Sequence, residues 1–199
     1  GRSKVQAEEE IRKYADHVIV RPSWIYGPRD KGSFPRVIKA LRENRFRFLG
    51  SGENPLNIIH ASDVARGAIL AATTPAAKGR AYHLCSRGEI TPKKLVDMFC
   101  ERLDLPKVRR HVPPKLAWSV AFASEVAFGL LRRPQPPRIT RRALYVIGRP
   151  TQFSIARAEE ELGWLPEVPI EEGLRETLDW YLEWEAATSG TAAATANTA

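Results

Sequence analysis

Apolar positions along the chain alternate between helical and strand-like spacing. From Ser3 to about Ala15 a run of glutamates carries Ile11 and Tyr14 on one side, which predicts a helix. The β-branched run HVIVRP, closed by proline, predicts a buried parallel strand. PSWIYGPRDKGS is rich in turn formers and predicts a loop. In FPRVIKALREN, Val37, Ile38 and Leu41 fall at helical spacing. RFRFLG alternates with period two up to the turn GSGEN, and LNIIH predicts a further strand. Ser62 is placed to cap DVARGAILAATT, a helix of small apolar residues. AYHLC predicts another strand, and Thr91 followed by Pro92 marks the start of a helix over ITPKKLVDMFCERLDLP. Ser154 and Gly163 bracket the helix IARAEEELG, and PIEEGLRETLDWYLEW reads as a final amphipathic helix. Strands alternating with helices predict an α/β protein. Past Ala186 the residues are small and polar without a period, which predicts a disordered tail over 186–199.

Composition narrows the picture only in places. The chain has 199 residues, enough for one large domain or part of a two-domain protein, and its 27% charged content suits a soluble globular one. Cys85 and Cys100 lack metal-type spacing and read as reduced, buried thiols. His17, His83 and His111 are too scattered for a metal site, and His60 reads as a packed histidine. The net charge of +8 is uneven: lysines and arginines recur from Lys107 to Arg149, through Arg132, Arg133, Arg138 and Arg142, with Glu125 alone opposing them. Such a cluster is either a solvated basic face or a site for an anionic partner. Aromatic residues are not interleaved as stacking platforms, so no nucleic-acid partner is expected. Within this region Leu116 to Leu131 is strongly apolar, yet Ser119, Ser124 and Glu125 interrupt it. A membrane span needs about 20 predominantly apolar residues. The segment is therefore either a packed helix or one that lies against a lipid surface.

Four stretches in order, SKVQAEEE, VIVRPSWIYGP, IIHASDVARGAILAA and SIARAEEELGWLPEVPIEEGLRETLDWY, resemble the extended short-chain dehydrogenases/reductases of the NAD-dependent epimerase/dehydratase superfamily. The resemblance implies a partial Rossmann-like, NAD(P)-binding parallel sheet with a smaller, mostly helical substrate lobe. It divides the chain into 1–90, the later part of the nucleotide-binding domain with interleaved lobe segments, and 91–185, the lobe. Lys4 then matches the lysine of Tyr-x-x-x-Lys, with the tyrosine expected immediately before Gly1. No G-x-x-G-x-x-G turn occurs here, so the chain is expected to be the C-terminal part of a longer enzyme. By the same resemblance Lys4 is catalytic and holds the nicotinamide ribose of NAD or NADP. Pro22, Ser23 and Ile25 would meet the nicotinamide, and Trp24 and Tyr26 would lie on the substrate side. The chemistry suits a lysine, since a phenol with a pKa of ~10 is a poor base and a cation one helical turn away favours the phenolate. Arg21 and Asp63 are expected to stabilise the fold rather than act in catalysis.

Two features point to a branch. Nucleotide-sugar enzymes of this kind carry an arginine before the V-x-D-V segment, where a bidentate cation grips phosphates; here Leu56 stands at that place. The segment from PPKLAWSV to FSIARA is similar to the 3β-hydroxysteroid and sterol dehydrogenase branch. The resemblance thus implies hydride transfer to or from a secondary alcohol or ketone on a hydrophobic, sterol-like small molecule. It also implies a homodimer through the Lys4 helix and a cytoplasmic protein with peripheral membrane contact. The alternatives are a nucleotide-sugar epimerase, dehydratase or reductase, and a non-catalytic binding or membrane-associated module on the same fold.

Overall fold

A computed structural model describes residues 2–131, 140–148 and 153–196. In chain order the elements are α1 (Arg2–Ile11), β1 (Ile19–Pro22), β2 (Trp24–Tyr26), α2 (Ser33–Arg42), β3 (Phe48–Leu49), β4 (Ile58–His60) and α3 (Ala61–Thr73). They continue with β5 (Ala81–Leu84), α4 (Pro92–Arg102), β6 (His111–Val112), α5 (Pro114–Leu130), α6 (Arg141–Gly148), α7 (Ala156–Leu162) and α8 (Ile170–Ala196). All three strand pairs are parallel: β1 with β5, β2 with β4 and β3 with β6. Parallel pairs joined by helical crossovers make this the α/β, Rossmann-like fold that the alternation of periods predicts.

The chain forms two units. The first comprises Gly1–Lys31, Asn57–Gly88 and Phe153–Ala199, the second Gly32–Leu56 and Glu89–Gln152. Residues 153–185, expected in the substrate lobe, thus fold back onto the first unit. The reason is apolar: Ala158, Leu162 and Trp164 complete a core with Ile59, Tyr82 and Leu84. Helix α3 lies very close to the sheet because Gly67 has no side chain; a Cβ there would sit 2.7 Å from Leu84 Cδ1 and 2.9 Å from Trp164 Nε1. At Ser23 the chain changes partner. Up to Pro22 it pairs with β5, then the Ser23 amide donates to Leu84 O at 2.9 Å and the Trp24 amide to Asn57 O at 3.2 Å, starting the pairing with β4.

In the second unit Phe34 of α2 meets Phe99 of α4 edge to face at 5.0 Å, with Ile38, Leu95 and Val96 buried alongside. Thr91 caps α4 by accepting from the Lys94 amide, with Pro92 in the first turn, as the sequence suggests. Leu56 forms an antiparallel bridge with Ile90.

Several expectations need correction. PSWIYGPRDKGS contains a strand, because Trp24, Ile25 and Tyr26 are strong β formers between two turn signals. Ser62 does not cap α3; the His60 side chain does, accepting from the Ser62 amide. The stretch from Ala186 is helical through Ala196, since its alanines are the best helix formers and prolong α8. Strand β6 and helix α6 gave no clear period and were missed. Cys85 and Cys100 are free, buried thiols in separate units, and burial pushes both above the ordinary thiol range. Arg132, Arg133, Arg138, Arg149 and the side chain of Arg142 lie outside the described residues.

Candidate functional site

The carboxyl ends of β1 and β5 are where a parallel α/β sheet offers a ligand crevice. Ser23 lies one residue past β1, and Ser86 lies two residues past β5. Both hydroxyl oxygens are buried without a hydrogen-bond partner among the described residues. Buried hydroxyls are ordinarily satisfied, so two orphans at neighbouring strand ends mark a place made for a polar group. Pro22 ends β1 and is exposed. Trp24 and Ile25 are 38% and 43% exposed. The strand end therefore presents a hydroxyl, an apolar edge and an aromatic ring in sequence.

Tyr26 is placed otherwise. It is 1% exposed, meets the His60 ring edge-on at 5.4 Å, and its hydroxyl lies 3.5 Å from Ile170 O at the start of α8. Burial, reinforced by the negative charges of Asp63, Glu171 and Glu176, drives this phenol well above its ordinary pKa. Tyr26 is a neutral core residue, and the structure does not bring it to a substrate surface. His60 shares that core; its Nδ1 lies 2.7 Å from Ser62 Oγ and its Nε2 3.5 Å from Glu176.

Lys4 sits on α1, exposed, with Glu8 one turn further on the same face. Glu8 accepts from Arg21 of β1 through both carboxylate oxygens, with Arg21 Nε at 2.8 Å from Oε1. The pair ties α1, one helical turn beyond Lys4, to the strand residue just before Pro22. Sequence reasoning missed Glu8, although its i+4 spacing from Lys4 was visible. The Arg21 hydrogen bonds hold the Glu8 carboxyl down at about 2. A carboxyl depressed in the folded state stabilises fully above its ordinary value of 4.5, and loses that contribution as pH falls through about 2. Protection of the α1 amides, taken relative to unstructured-chain exchange at the same pH, is therefore expected to hold down to pH ~4 and to fall as pH approaches ~2. Arg21→Ala should give fast exchange in α1 at every pH. Equal α1 protection in the variant and the parent would show that other contacts hold the helix.

Asp63 and Arg21 do not pair with each other. The Asp63 carboxylate, buried at the start of α3, accepts from the Glu167 amide at 2.9 Å, the Val168 amide at 3.2 Å and Arg66 at 2.8 Å. Trp164 Nε1 donates to the Asp63 carbonyl at 3.1 Å, and Arg66 also reaches Leu165 O and the Glu167 carboxylate. This lock fastens the loop after α7 to the first turn of α3.

Residues 1–85 match the profile of the NAD dependent epimerase/dehydratase family. A 2-alkyl-3-oxoalkanoate reductase from Shewanella oneidensis is 30% identical over 163 residues, covering 79% of this chain and 42% of the relative. A 3beta-hydroxysteroid-dehydrogenase/decarboxylase from Arabidopsis thaliana is 28% identical, covering 80% of the chain and 39% of the relative. The crystal structure of gox2253 superposes with a TM-score of 0.68 at 26% identity, over 91% of this chain and 55% of that one. The chain spans about two-fifths of the length of these curated relatives.

Proposed function

Starting from the match of residues 1–85 to the NAD dependent epimerase/dehydratase family, we propose that the chain is the lysine-bearing and later-strand part of an NAD(P)-dependent oxidoreductase. Its substrate is a small molecule with a secondary alcohol or ketone on an apolar body. The observation that supports the reading is the Glu8–Arg21 pair, which fastens α1, one helical turn beyond Lys4, to the strand that ends at Pro22. The residues present fit a nicotinamide: the buried Ser23 hydroxyl lacks a partner, and Ile25 offers an exposed apolar edge. A bound nicotinamide supplies the hydride acceptor or donor, which no side chain provides. Lys4 keeps a positive charge beside the phenol that the motif places one turn upstream, easing removal of the substrate hydroxyl proton. It is also placed to donate to a ribose diol. Trp24, exposed at the strand end, is the side chain we assign to the substrate. The second unit would serve as the substrate lobe.

An apolar substrate is favoured over a nucleotide sugar because Leu56, at the expected phosphate-gripping position, is committed to the bridge with Ile90 and has no charge to offer. The names of the two curated relatives, a 2-alkyl-3-oxoalkanoate reductase and a 3beta-hydroxysteroid-dehydrogenase/decarboxylase, support the same reading. A sterol is one member of the class we propose. The test is nicotinamide turnover by the enzyme together with its nucleotide-binding segment, comparing 2-alkyl-3-oxo acids and 3β-hydroxysteroids with UDP-sugars. Turnover with UDP-sugars alone would sink the apolar reading, and no turnover or cofactor binding at all would favour a non-catalytic module. The 199-residue chain by itself is expected to bind NAD no tighter than ~1 mM, because it lacks a glycine-rich turn at a helix N-terminus to hold the pyrophosphate. Submicromolar binding in calorimetry would contradict that expectation.

A further inference from the structure

Helix α5 is built inside out. Its inward side carries Ala121, which is buried, and Ser124 and Glu125, which are half-buried. Glu125 is the only acid on the helix, and it accepts from the Arg141 backbone amide at 2.8 Å and from Arg141 Nε at 2.7 Å. The outward side carries Leu116, Val120, Phe122, Val126 and Leu130, exposed by 45% to 80%. Trp118, also exposed, stacks on Phe122 at 6.3 Å, and the Arg141 guanidinium covers both rings at 5.2 and 4.8 Å. Ser119, the one polar side chain on that side beyond the first turn, donates its hydroxyl back to Lys115 O at 3.1 Å. A helix meant for water shows the opposite arrangement, polar outside and apolar inside. An apolar face of this extent, on a helix whose one acid is turned inward, signals a partner that is not water.

Charge indicates which partner. Lys115 lies in the first turn of α5, and Arg109 and Arg110 lead into β6 immediately before it. The parallel register Phe48↔His111 brings Arg47 beside Arg110. Lys107, Arg109, Arg110 and Lys115 are all exposed, and none makes an ion pair among the described residues. Unneutralised cations at the foot of an exposed apolar helix complement an anionic headgroup layer over an acyl layer. The helix has 17 residues, or about 25 Å at ~1.5 Å per residue, and no described helix is long and apolar enough to cross a membrane. It would lie in the interface rather than span it.

We infer that α5 is a membrane-docking helix that seats its Leu116–Leu130 face in an anionic lipid surface, with Lys115, Arg109 and Arg110 at the headgroups. This does not depend on the reaction proposed above. The test mixes the chain with phosphatidylcholine vesicles with or without phosphatidylglycerol, followed by sedimentation and by quenching of tryptophan fluorescence with brominated lipid. Wild type is expected to cosediment with the anionic vesicles, to release as salt rises, and to show quenching that Trp118→Phe removes. Arg109→Glu with Arg110→Glu should weaken binding by roughly tenfold or more. Val120→Glu with Val126→Glu should abolish it while leaving the far-ultraviolet circular dichroism unchanged. Absence of binding to anionic vesicles at low salt would overturn the inference. So would binding that ignores Val120→Glu with Val126→Glu, or a solution dimer split by those substitutions in a protein that ignores vesicles, which would make a second copy the occupant.

Discussion

Lys4→Ala, in the enzyme with its nucleotide-binding segment, is expected to cut kcat by roughly 100-fold or more, the scale on which a positioned acid–base apparatus contributes. On the function proposed above, the phenol one turn from Lys4 then loses its cation, so the pKa that governs alcohol oxidation should move upward while folding is unaffected. Because α1 is held through Glu8 and Arg21 rather than through Lys4, the alanine variant should keep its structure. Lys4→Arg should restore only part of the rate, since a planar fork matches a ribose diol less well than a compact ammonium. A further contrast separates chemistry from scaffolding: Glu8→Gln keeps the Lys4 ammonium but loosens its helix, so it should affect kcat less than Lys4→Ala and leave the pH profile near that of the parent. An alanine variant with unchanged rate and pH profile would remove Lys4 from the mechanism.

Asp63→Ala carries the largest expected change in stability, a loss of about 3–5 kcal/mol in urea unfolding. The estimate follows from what is stranded. The Glu167 and Val168 amides lose their acceptor, and the half-buried Arg66 keeps only Leu165 O and Glu167 as partners. Asp63→Asn retains one acceptor oxygen and should fall between parent and alanine variant. A loss below ~1 kcal/mol for the alanine variant would mean that Trp164, buried against α3, holds the loop without the carboxylate.

Local signals in the sequence were read well where the chemistry is local. Thr91 and Pro92 start α4, and Gly163, at φ 62, ends α7. They failed where a tertiary partner decides. Trp24–Tyr26 has β-forming residues but sits between turn formers, and its pairing with β4 is what completes the strand. Tyr26 was expected on the substrate side from the resemblance of RPSWIYGP, and it is buried because α8 covers it. Lys4 was singled out by its motif, but the Glu8–Arg21 tether on the same helix joins residues 13 positions apart and leaves no periodic trace. Ser86 carried no signal at all; only its position past β5 and its unpaired hydroxyl reveal it. For α5, composition announced an apolar helix and stopped there, because a helix apolar on nearly all sides does not tell which side faces outward. The location of Glu125, turned to Arg141, answers that.

The close seating of α3 on the sheet has a consequence for how this sequence can drift among its relatives. The hydrogen at Gly67, the Leu84 methyls and the Trp164 indole share one small volume, contributed by three segments far apart in the chain. None of the three can grow alone without pushing the helix off the strand, since packed interiors have little slack. An alanine at 67 becomes admissible only in a lineage that has already given up bulk at 84 or 164. The trio should therefore behave as one heritable character, with each substitution conditional on the order in which the others arrived.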